Sequence, residues 1–382
     1  MKTIFWILFI LIVYCYFGYP ILLSVFASCR TRKVIKQEIF PTISVVISVA
    51  NEESVIEKKM SNLLSMDYPS DKLEILIGSD GSTDKTNDIV RNFNDKRIQL
   101  IVSSQRKGKM ATVNQLVQLA QNEMIVFTDA RQMFDRVAFK ELVFNFADPH
   151  VGCVSGELIF TKKEGSTAQG INLYWEYEKF MRQKESQLHS MIGATGAIYA
   201  IRRKLFVPAP TNMILDDVFT PLKIVQQGYR AIFEGQAIAY DEAANNPKEE
   251  YARKARTLAG NYQIFFVLPD IFNPLKSPLA IQMFSHKLLR VLIPFFLIFL
   301  LIINFKLRNN QFFIFILWGQ ILFYGMAILG SLAKKPKYAI LKPISKMCYI
   351  PYVFCLLNFS ALAGFWRFVR SSQTVTWEKA RT

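Results

Sequence analysis

The sequence predicts an α/β domain, a mostly parallel sheet with helices on both faces, held at a membrane by apolar helices at its two ends. Three observations predict it. Apolar runs with strand period alternate with runs of helical period between Ile43 and Thr128. Several strand-like runs end in small, acidic, turn-forming residues, at Ser79-Asp80-Gly81-Ser82-Thr83-Asp84, at Asp129 and at Asp216-Asp217. The rest of the apolar content is gathered into four long blocks outside that region.

The first block, Thr3 to Phe26, is long enough to cross a bilayer, since about 20 helical residues span the hydrocarbon core. Only Lys2 precedes its apolar run and no small-residue cleavage site follows, so residues 1–28 are expected to be a retained anchor rather than a cleaved leader. Ile43 to Val49 then reads as a buried strand, and Glu52 to Leu64 as an amphipathic helix. Leu73 to Gly78 is a second strand, followed by a helix from about Thr83, where Thr83 and Asp84 suit an N-terminal cap. The strand Ile98 to Val102, the helix Lys109 to Ala120 and the strand Met124 to Thr128 complete a βαβαβ progression, the signature of a parallel sheet. Ligands bind such sheets beyond the carboxyl ends of the strands, where the acidic turns lie.

Further on, Gly193-Ala194-Thr195-Gly196 precedes the strand Ala197 to Ile201, and Asp216-Asp217 opens the helical pattern Val218 to Gln226. Tyr174-Trp175-Glu176-Tyr177 suits either sugar stacking or a place in the core or at the membrane interface. Glu249 to Gln282 is aromatic, amphipathic and punctuated by proline, a pattern for helices lying in the interface. Leu288 to Phe305, Phe312 to Leu332 and, less cleanly, Met347 to Phe365 are the remaining apolar blocks. The expected organisation is therefore anchor 1–28, water-facing domain 40–248, interfacial helices 249–282, membrane region 283–368 and tail 369–382.

The net charge of +16 is concentrated at membrane edges. Arg30, Arg32, Lys33 and Lys36 follow the first block, and Lys334, Lys335, Lys337, Lys342 and Lys346 follow the third, which places both flanks and the domain between them in the cytosol. The tail is ambiguous: three spans would leave it outside, yet Arg367, Arg370, Lys379 and Arg381 argue for inside. Either the last block is re-entrant or interfacial, or a basic tail is exported against the rule. These cations mark contact with anionic lipid, and no nucleic-acid reader motif accompanies them. The five cysteines show neither a disulfide framework nor zinc spacing, and the three histidines are scattered. A metal partner would thus be a hard cation held by carboxylates and substrate.

Six strings in order carry a resemblance: Ala50-Asn51-Glu52-Glu53, Ser79-Asp80-Gly81-Ser82-Thr83-Asp84, Gly108-Lys109, Thr128-Asp129-Ala130, Asp216-Asp217 and Arg253-Lys254-Ala255-Arg256-Thr257. Together with the flanking apolar blocks they resemble the membrane-bound family 2 glycosyltransferases, the group of cellulose, hyaluronan and poly-N-acetylglucosamine synthases. The resemblance implies a GT-A-type nucleotide-sugar-binding domain, an inverting transfer from a UDP-sugar to a growing cell-surface polysaccharide, and a bacterial inner membrane. Single transfer to a lipid-linked acceptor is the alternative, and a nucleotide-binding transporter or scaffold a distant one.

By the same resemblance Asp217 is the catalytic base with Asp216 as its partner. Asn51, Glu52, Asp80, Lys109, Asp129, Arg131 and Arg256 would bind the nucleotide-sugar, and Thr195, Gly196 and Arg253 the acceptor. Asp129 would hold Mg²⁺ or Mn²⁺. Two departures matter. The second acid of the family's Asp-x-Asp motif is Arg131, which either supplies positive charge itself or pairs with Asp135 at the surface. The family's Gln-x-x-Arg-Trp ends here in Arg256-Thr257, so the aromatic platform associated with processive synthesis is missing.

Overall fold

The computed structural model describes residues 1–161, 166–242, 247–332 and 342–370, with backbone alone for 166–174, 247–250 and 342–346. Its first helices, α1 (Lys2–Val13) and α2 (Tyr19–Cys29), are joined by a π-helical turn at Tyr14–Gly18 into one continuous 28-residue apolar rod. An extended stretch then leads to the sheet.

β1 (Ile43–Val49) is buried along almost its whole length, because a central strand covered on both faces has no solvent side. It pairs in parallel with β2 (Leu73–Asp80), and β3 (Ile98–Ser103) pairs in parallel with β2. On its other side β1 pairs in parallel with β4 (Met124–Phe127), completing the βαβαβ half expected from the sequence. The other half is mixed. β5 (Met133–Phe134), β6 (Val151–Phe160), β7 (Tyr199–Arg202) and β8 (Arg230–Asp241) extend the sheet to eight strands in the order β3-β2-β1-β4-β7-β6-β8-β5. β7 runs antiparallel to both β4 and β6, β6 and β8 are parallel, and β5 is antiparallel to β8.

Helices cover both faces. One core is built on α3 (Ile56–Leu64), α4 (Thr86–Asn92) and α6 (Ala138–Val143), through Ile56, Met60, Leu63, Val90, Phe139 and Leu142. The opposite core uses α5 (Lys109–Leu119) and α8 (Asp216–Gln226), through Met110, Val113, Leu116, Phe219 and Leu222. α7 (Ser166–Leu188) runs from the sheet to the membrane helices, where its Met181 packs with Tyr19 and Leu23 of α2.

Several boundaries differ from the sequence expectation, each for a local reason. The first helix starts at Ile56 rather than Glu52, because the amides of Asn51, Glu52 and Glu53 are taken by side chains of the neighbouring loop. β2 runs two residues further, so Asp80 ends a strand instead of opening a turn. α4 starts at Thr86, whose amide donates to Asp84 Oδ1 at 3.0 Å and so finds one of the partners that the first amides of a helix lack.

α9 (Pro247–Val267) and a short 3₁₀ turn at Pro269–Phe272 lead to α10 (Ala280–Gln282), which continues through a π turn into α11 (Leu289–Lys306). α12 (Gln311–Leu332) and α13 (Lys342–Val369) follow. Lys2–Cys29, Ala280–Lys306, Gln311–Leu332 and Met347–Val369 are four helices long and apolar enough to cross a membrane. α13 also grips α9. At Gly364 a Cβ would meet the Ala259 amide at 2.9 Å and the Ala255 carbonyl at 3.0 Å, so the two helices touch backbone to backbone. Most of the Lys334–Lys346 segment and residues 371–382, on which the topology argument rests, lie outside the described residues.

Candidate active site

The loops after β1 and β2 are stapled to one another. Asn51, with φ of +57°, donates its amide to Ser82 Oγ at 3.1 Å, while its side-chain Oδ1 accepts from the Thr83 amide at 2.7 Å. Asn tolerates this left-handed conformation because its short polar side chain bonds locally. The Glu52 amide bonds Thr86 Oγ1 at 2.8 Å, the Glu53 amide bonds Asp84, and the Glu53 carboxylate accepts from the Lys85 amide at 3.0 Å. Asp80 is buried, and its two oxygens accept the amides of Lys107 at 2.6 Å and Gly108 at 3.0 Å, which fixes the entry to α5. Asn51 and Asp80 thus hold the walls of a cleft of about 590 Å³ that Glu52, Asp80, Lys109, Asp129 and Arg131 line at the carboxyl ends of β1, β2 and β4.

Lys109, the first residue of α5, lies at the floor of this cleft. Its Nζ is 3.0 Å from Asp129 Oδ1 and 3.5 Å from Asp216 Oδ2, so one ammonium joins the loop after β4 to the start of α8. Burial opposes its charge, but Asp129 and Asp216 outweigh that cost and hold its pKa above the ordinary lysine value. Arg131 lines the cleft. Asp135 instead accepts from the Val137 amide at 3.2 Å and the Tyr240 hydroxyl at 3.4 Å.

Behind the loop that carries Asp129 lies Lys59 of α3, fully buried, with Nζ 2.9 Å from Thr128 Oγ1, 2.6 Å from the Gln132 carbonyl and 4.1 Å from the centre of the Phe134 ring. Burial pushes its pKa down to about 7, opposed by the charge of Asp129. Sequence reasoning missed this residue. A signal existed: Lys59 interrupts the apolar stripe Ile56, Met60, Leu63, where a charged side chain needs built-in partners.

Asp217 faces a second, smaller cavity of about 170 Å³ on the side toward the membrane helices. Its pKa is pushed up to about 6, first by burial and then by the like charge of Asp216, with Lys109 and Arg182 acting against them. Its carboxylate is seated on Gly196, where a Cβ would stand 3.0 Å from Asp217 Oδ2, and its carbonyl accepts from the Ala194 amide at 2.7 Å. Any larger residue at 196 would crowd the carboxylate. Thr195 is buried beside it, its amide bonded to Ser155 Oγ at 2.8 Å and its hydroxyl bonded by Arg182.

The walls of this cavity come from distant parts of the chain. α7 gives Trp175, Glu178, Arg182 and Glu185, α9 gives Arg253, Lys254 and Thr257, and the π turn before α11 gives His286 and Lys287. Arg253 and Lys254 stack over Trp175 with their charges 5.8 and 5.1 Å from its ring. Glu178 is buried between Arg290 and His286, whose charges overcome the burial cost and hold its carboxyl well below the usual range. Arg256, half-buried on α9, feels the charges of Asp216, Asp129 and Asp217, although burial lowers its pKa overall. The fold therefore gathers Asp129, Lys109, Asp216, Asp217 and Arg256, and puts Arg253 on the far wall of the second cavity. The roles of Arg182, Lys254 and Lys287 left no trace in the local sequence, because only tertiary folding brings them together.

Residues 44–207 match the model of glycosyl transferase family 2. The chain carries a family 2 glycosyltransferase domain. It is similar to the poly-beta-1,6-N-acetyl-D-glucosamine synthase of Staphylococcus aureus (strain COL), 26% identical over 255 residues that cover 64% of this chain and 60% of the relative. The probable glycosyltransferase YdaM of Bacillus subtilis (strain 168) is 25% identical over 256 residues, 64% of this chain and 61% of the relative. The chain thus spans about 60% of the length of these curated relatives. Among solved structures, the mannosyltransferase PcManGT of Pyrobaculum calidifontis, in complex with GDP-Man and Mn²⁺, superposes with a TM-score of 0.72 at 21% identity, covering 97% of this chain and 100% of that one. That likeness shows the GT-A glycosyltransferase fold, extended through the membrane helices.

Among the described residues no cluster of three or more His, Cys, Asp or Glu side chains forms a protein-only metal cage. The glycosyltransferase domain still fits a hard divalent cation, because such ions are commonly held by one or two carboxylates with substrate phosphates completing the shell, and Asp129 presents one carboxylate to the cleft.

Proposed function

We propose that this protein is an inverting glycosyltransferase that moves a sugar from a nucleotide-sugar, a UDP-sugar by family resemblance, onto an acceptor held at the membrane. One observation carries the reading: Lys109, which lines the larger cavity with Asp80 and Asp129, lies 3.5 Å from Asp216 Oδ2, and the next residue, Asp217, lines the smaller cavity with Arg182, Arg253, Lys254 and Lys287. In this reading the nucleotide-sugar lies along the larger cleft, and Asp217 takes the proton from the acceptor hydroxyl as that oxygen attacks the anomeric carbon. A base with pKa of about 6 is mostly ionised at neutral pH and still accepts a proton in the transition state. Lys109 and Arg256 balance the negative charge that grows on the departing diphosphate. A divalent cation on Asp129, when bound, would supply Lewis-acid stabilisation of the same leaving group.

The polysaccharide reading of the acceptor draws support from the Staphylococcus aureus relative, a poly-beta-1,6-N-acetyl-D-glucosamine synthase, and the basic flanks support a bacterial inner (plasma) membrane with the domain on the cytosolic side. A second reading, one sugar added to a lipid-linked acceptor, has an observation of its own. An apolar groove of about 450 Å³ runs between α11, α12 and α13, lined by Leu297, Tyr324, Tyr352 and Phe359, and Phe359 stacks at 5.9 Å on Tyr251, two residues before Arg253 of the small cavity. A lipid chain in that groove would set its polar head among Arg253, Lys254 and Lys287. Thr257, in the position of the family's tryptophan, also lines the small cavity, so the one tryptophan, tyrosine or phenylalanine among its described lining residues is Trp175 of α7.

The test is product size from labelled donor with the full chain in nanodiscs, using a panel of UDP- and GDP-sugars. A ladder or polymer supports polysaccharide synthesis, a single lipid-extractable sugar supports the second reading, and no nucleotide release from any donor would refute transfer altogether.

A further inference from the structure

We propose that Lys59 is a positioning residue for the donor site, clamping both ends of the loop 128–132 so that Asp129 and Arg131 point into the cleft. The proposal rests on the reading of that cleft as the nucleotide-sugar site. Lys59 comes from α3, whose Lys58 lines the cleft, and it touches neither Asp129 nor Arg131 through any described hydrogen bond. It bonds the residues that bracket them: the Thr128 hydroxyl at 2.9 Å and the Gln132 carbonyl at 2.6 Å. Its remaining N–H faces the Phe134 ring at 4.1 Å.

The rest of the loop is fixed in the same way, from behind. One turn along α3, Asn62 forms a two-way bond with Phe134, accepting its amide at 2.8 Å and donating to its carbonyl at 2.9 Å. The Gln132 side chain reaches Asp241 at the end of β8 at 2.8 Å, and the Thr128 hydroxyl also lies 3.3 Å from the Asp129 carbonyl. A loop that only closed a strand would be served by these bonds and by apolar packing. A buried lysine is a costly element for that purpose, since an ammonium taken from water needs every donor matched. Here the matched acceptors lie on the two sides of the residues that face the donor. With Arg131 in place of a second acid, the direction of a single carboxylate decides whether a cation and a diphosphate can share the cleft, so the tolerance on that loop is tight.

The experiment uses the full chain in nanodiscs as wild type, Lys59→Met and Thr128→Val, with Leu63→Ala as a control that destabilises the same helix without touching the loop. Hydrogen exchange of the 128–134 amides is expected to speed up in Lys59→Met beyond the change in the control, and protection equal to the control would overturn the clamp. Binding of Mn²⁺ in the presence of UDP or GDP, followed by the electron paramagnetic resonance of free Mn²⁺, is expected to weaken roughly 10- to 100-fold in Lys59→Met. Thr128→Val, which keeps the lysine and removes one of its acceptors, is expected to move in the same direction. A loosened loop with wild-type Mn²⁺–nucleotide binding would leave Lys59 a core residue and overturn its positioning role. If Lys59→Met does not fold, the Thr128→Val result decides: unchanged exchange and binding refute the proposal. Wild-type protein that binds no Mn²⁺–nucleotide while the loop loosens in Lys59→Met would refute the donor reading of the cleft instead.

Discussion

The larger cleft, proposed for the donor, and the smaller cavity, proposed for the acceptor, are built on different plans. The cleft is lined mainly by short loops at the ends of neighbouring parallel strands, Asn51 to Glu53, Ser79 to Asp84, Gly108-Lys109 and Thr128 to Gln132, with Thr161 and Tyr240 to Glu242 closing it from the ends of β6 and β8. The small cavity is assembled from α7, α8, α9 and the π turn before α11, elements separated by dozens of residues. On the proposed reading, the donor is held mainly where the strand order dictates, and the acceptor where helices from remote segments converge. The two are linked through one dipeptide, Asp216-Asp217: Asp216 lies 3.5 Å from Lys109 of the cleft, and Asp217 lines the cavity.

The sharpest way to break this division is Asp217→Asn. Asn keeps the shape but cannot take a proton, so transfer should fall roughly 10²- to 10⁴-fold while nucleotide affinity, a property of the other cavity, stays within about twofold. Rate and nucleotide binding measured on one preparation check both halves, and a parallel loss of the two would mean that the cavities are not separate. Lys109→Met attacks the joint from the donor side. Losing a preorganised cation beside the diphosphate should cost about 10²- to 10³-fold in turnover, with weaker nucleotide binding this time. Chelation should follow: we expect at least a tenfold loss of activity in excess EDTA, restored by Mn²⁺ or Mg²⁺, and full activity in the chelator would assign charge balance to Lys109, Arg131 and Arg256 alone.

A smaller effect separates the two aspartates by pH. The base must be ionised, so activity should be lost as pH falls through about 6, dropping tenfold per unit below that value. Asp216→Asn removes the like charge beside Asp217 and should move this limb to lower pH. An acid limb that stays in place would mean that burial alone sets it.

The same division explains what could be read from the chain. The βαβαβ half, the anchor and the strand-end acids were legible because strand and helix periods and turn chemistry are local properties, visible in Ile43 to Val49 or Ser79 to Asp84. The antiparallel insertion of β7 between β4 and β6 was not, since pairing partners far apart in sequence carry no shared local pattern. Site residues followed suit. Lys109 and Asp217 could be placed from their motifs, but the partner of Asp80 could not: its carboxylate is occupied by the Lys107 and Gly108 amides, a tertiary bond across two loops. The smallness of Gly196 likewise makes room for a carboxylate, where the sequence suggested room for a sugar.

The backbone contact at Gly364 ties enzyme activity to the physical state of the bilayer. α9 carries Arg253 and Arg256, and Gly364 of α13 lies against the Ala259 amide, the Leu258 Cβ and the Ala255 carbonyl, so a tilt of one helix is expected to move the other. A spanning helix adjusts its tilt to the hydrocarbon thickness around it. In a thicker membrane α13 is expected to stand more upright and to carry α9 with it, shifting Arg256 relative to Asp216, Asp129 and Asp217, whose charges it feels. Turnover should therefore have an optimum in acyl-chain length, and a bulkier residue at 364, by prising the two helices apart, should flatten that optimum before it lowers the peak.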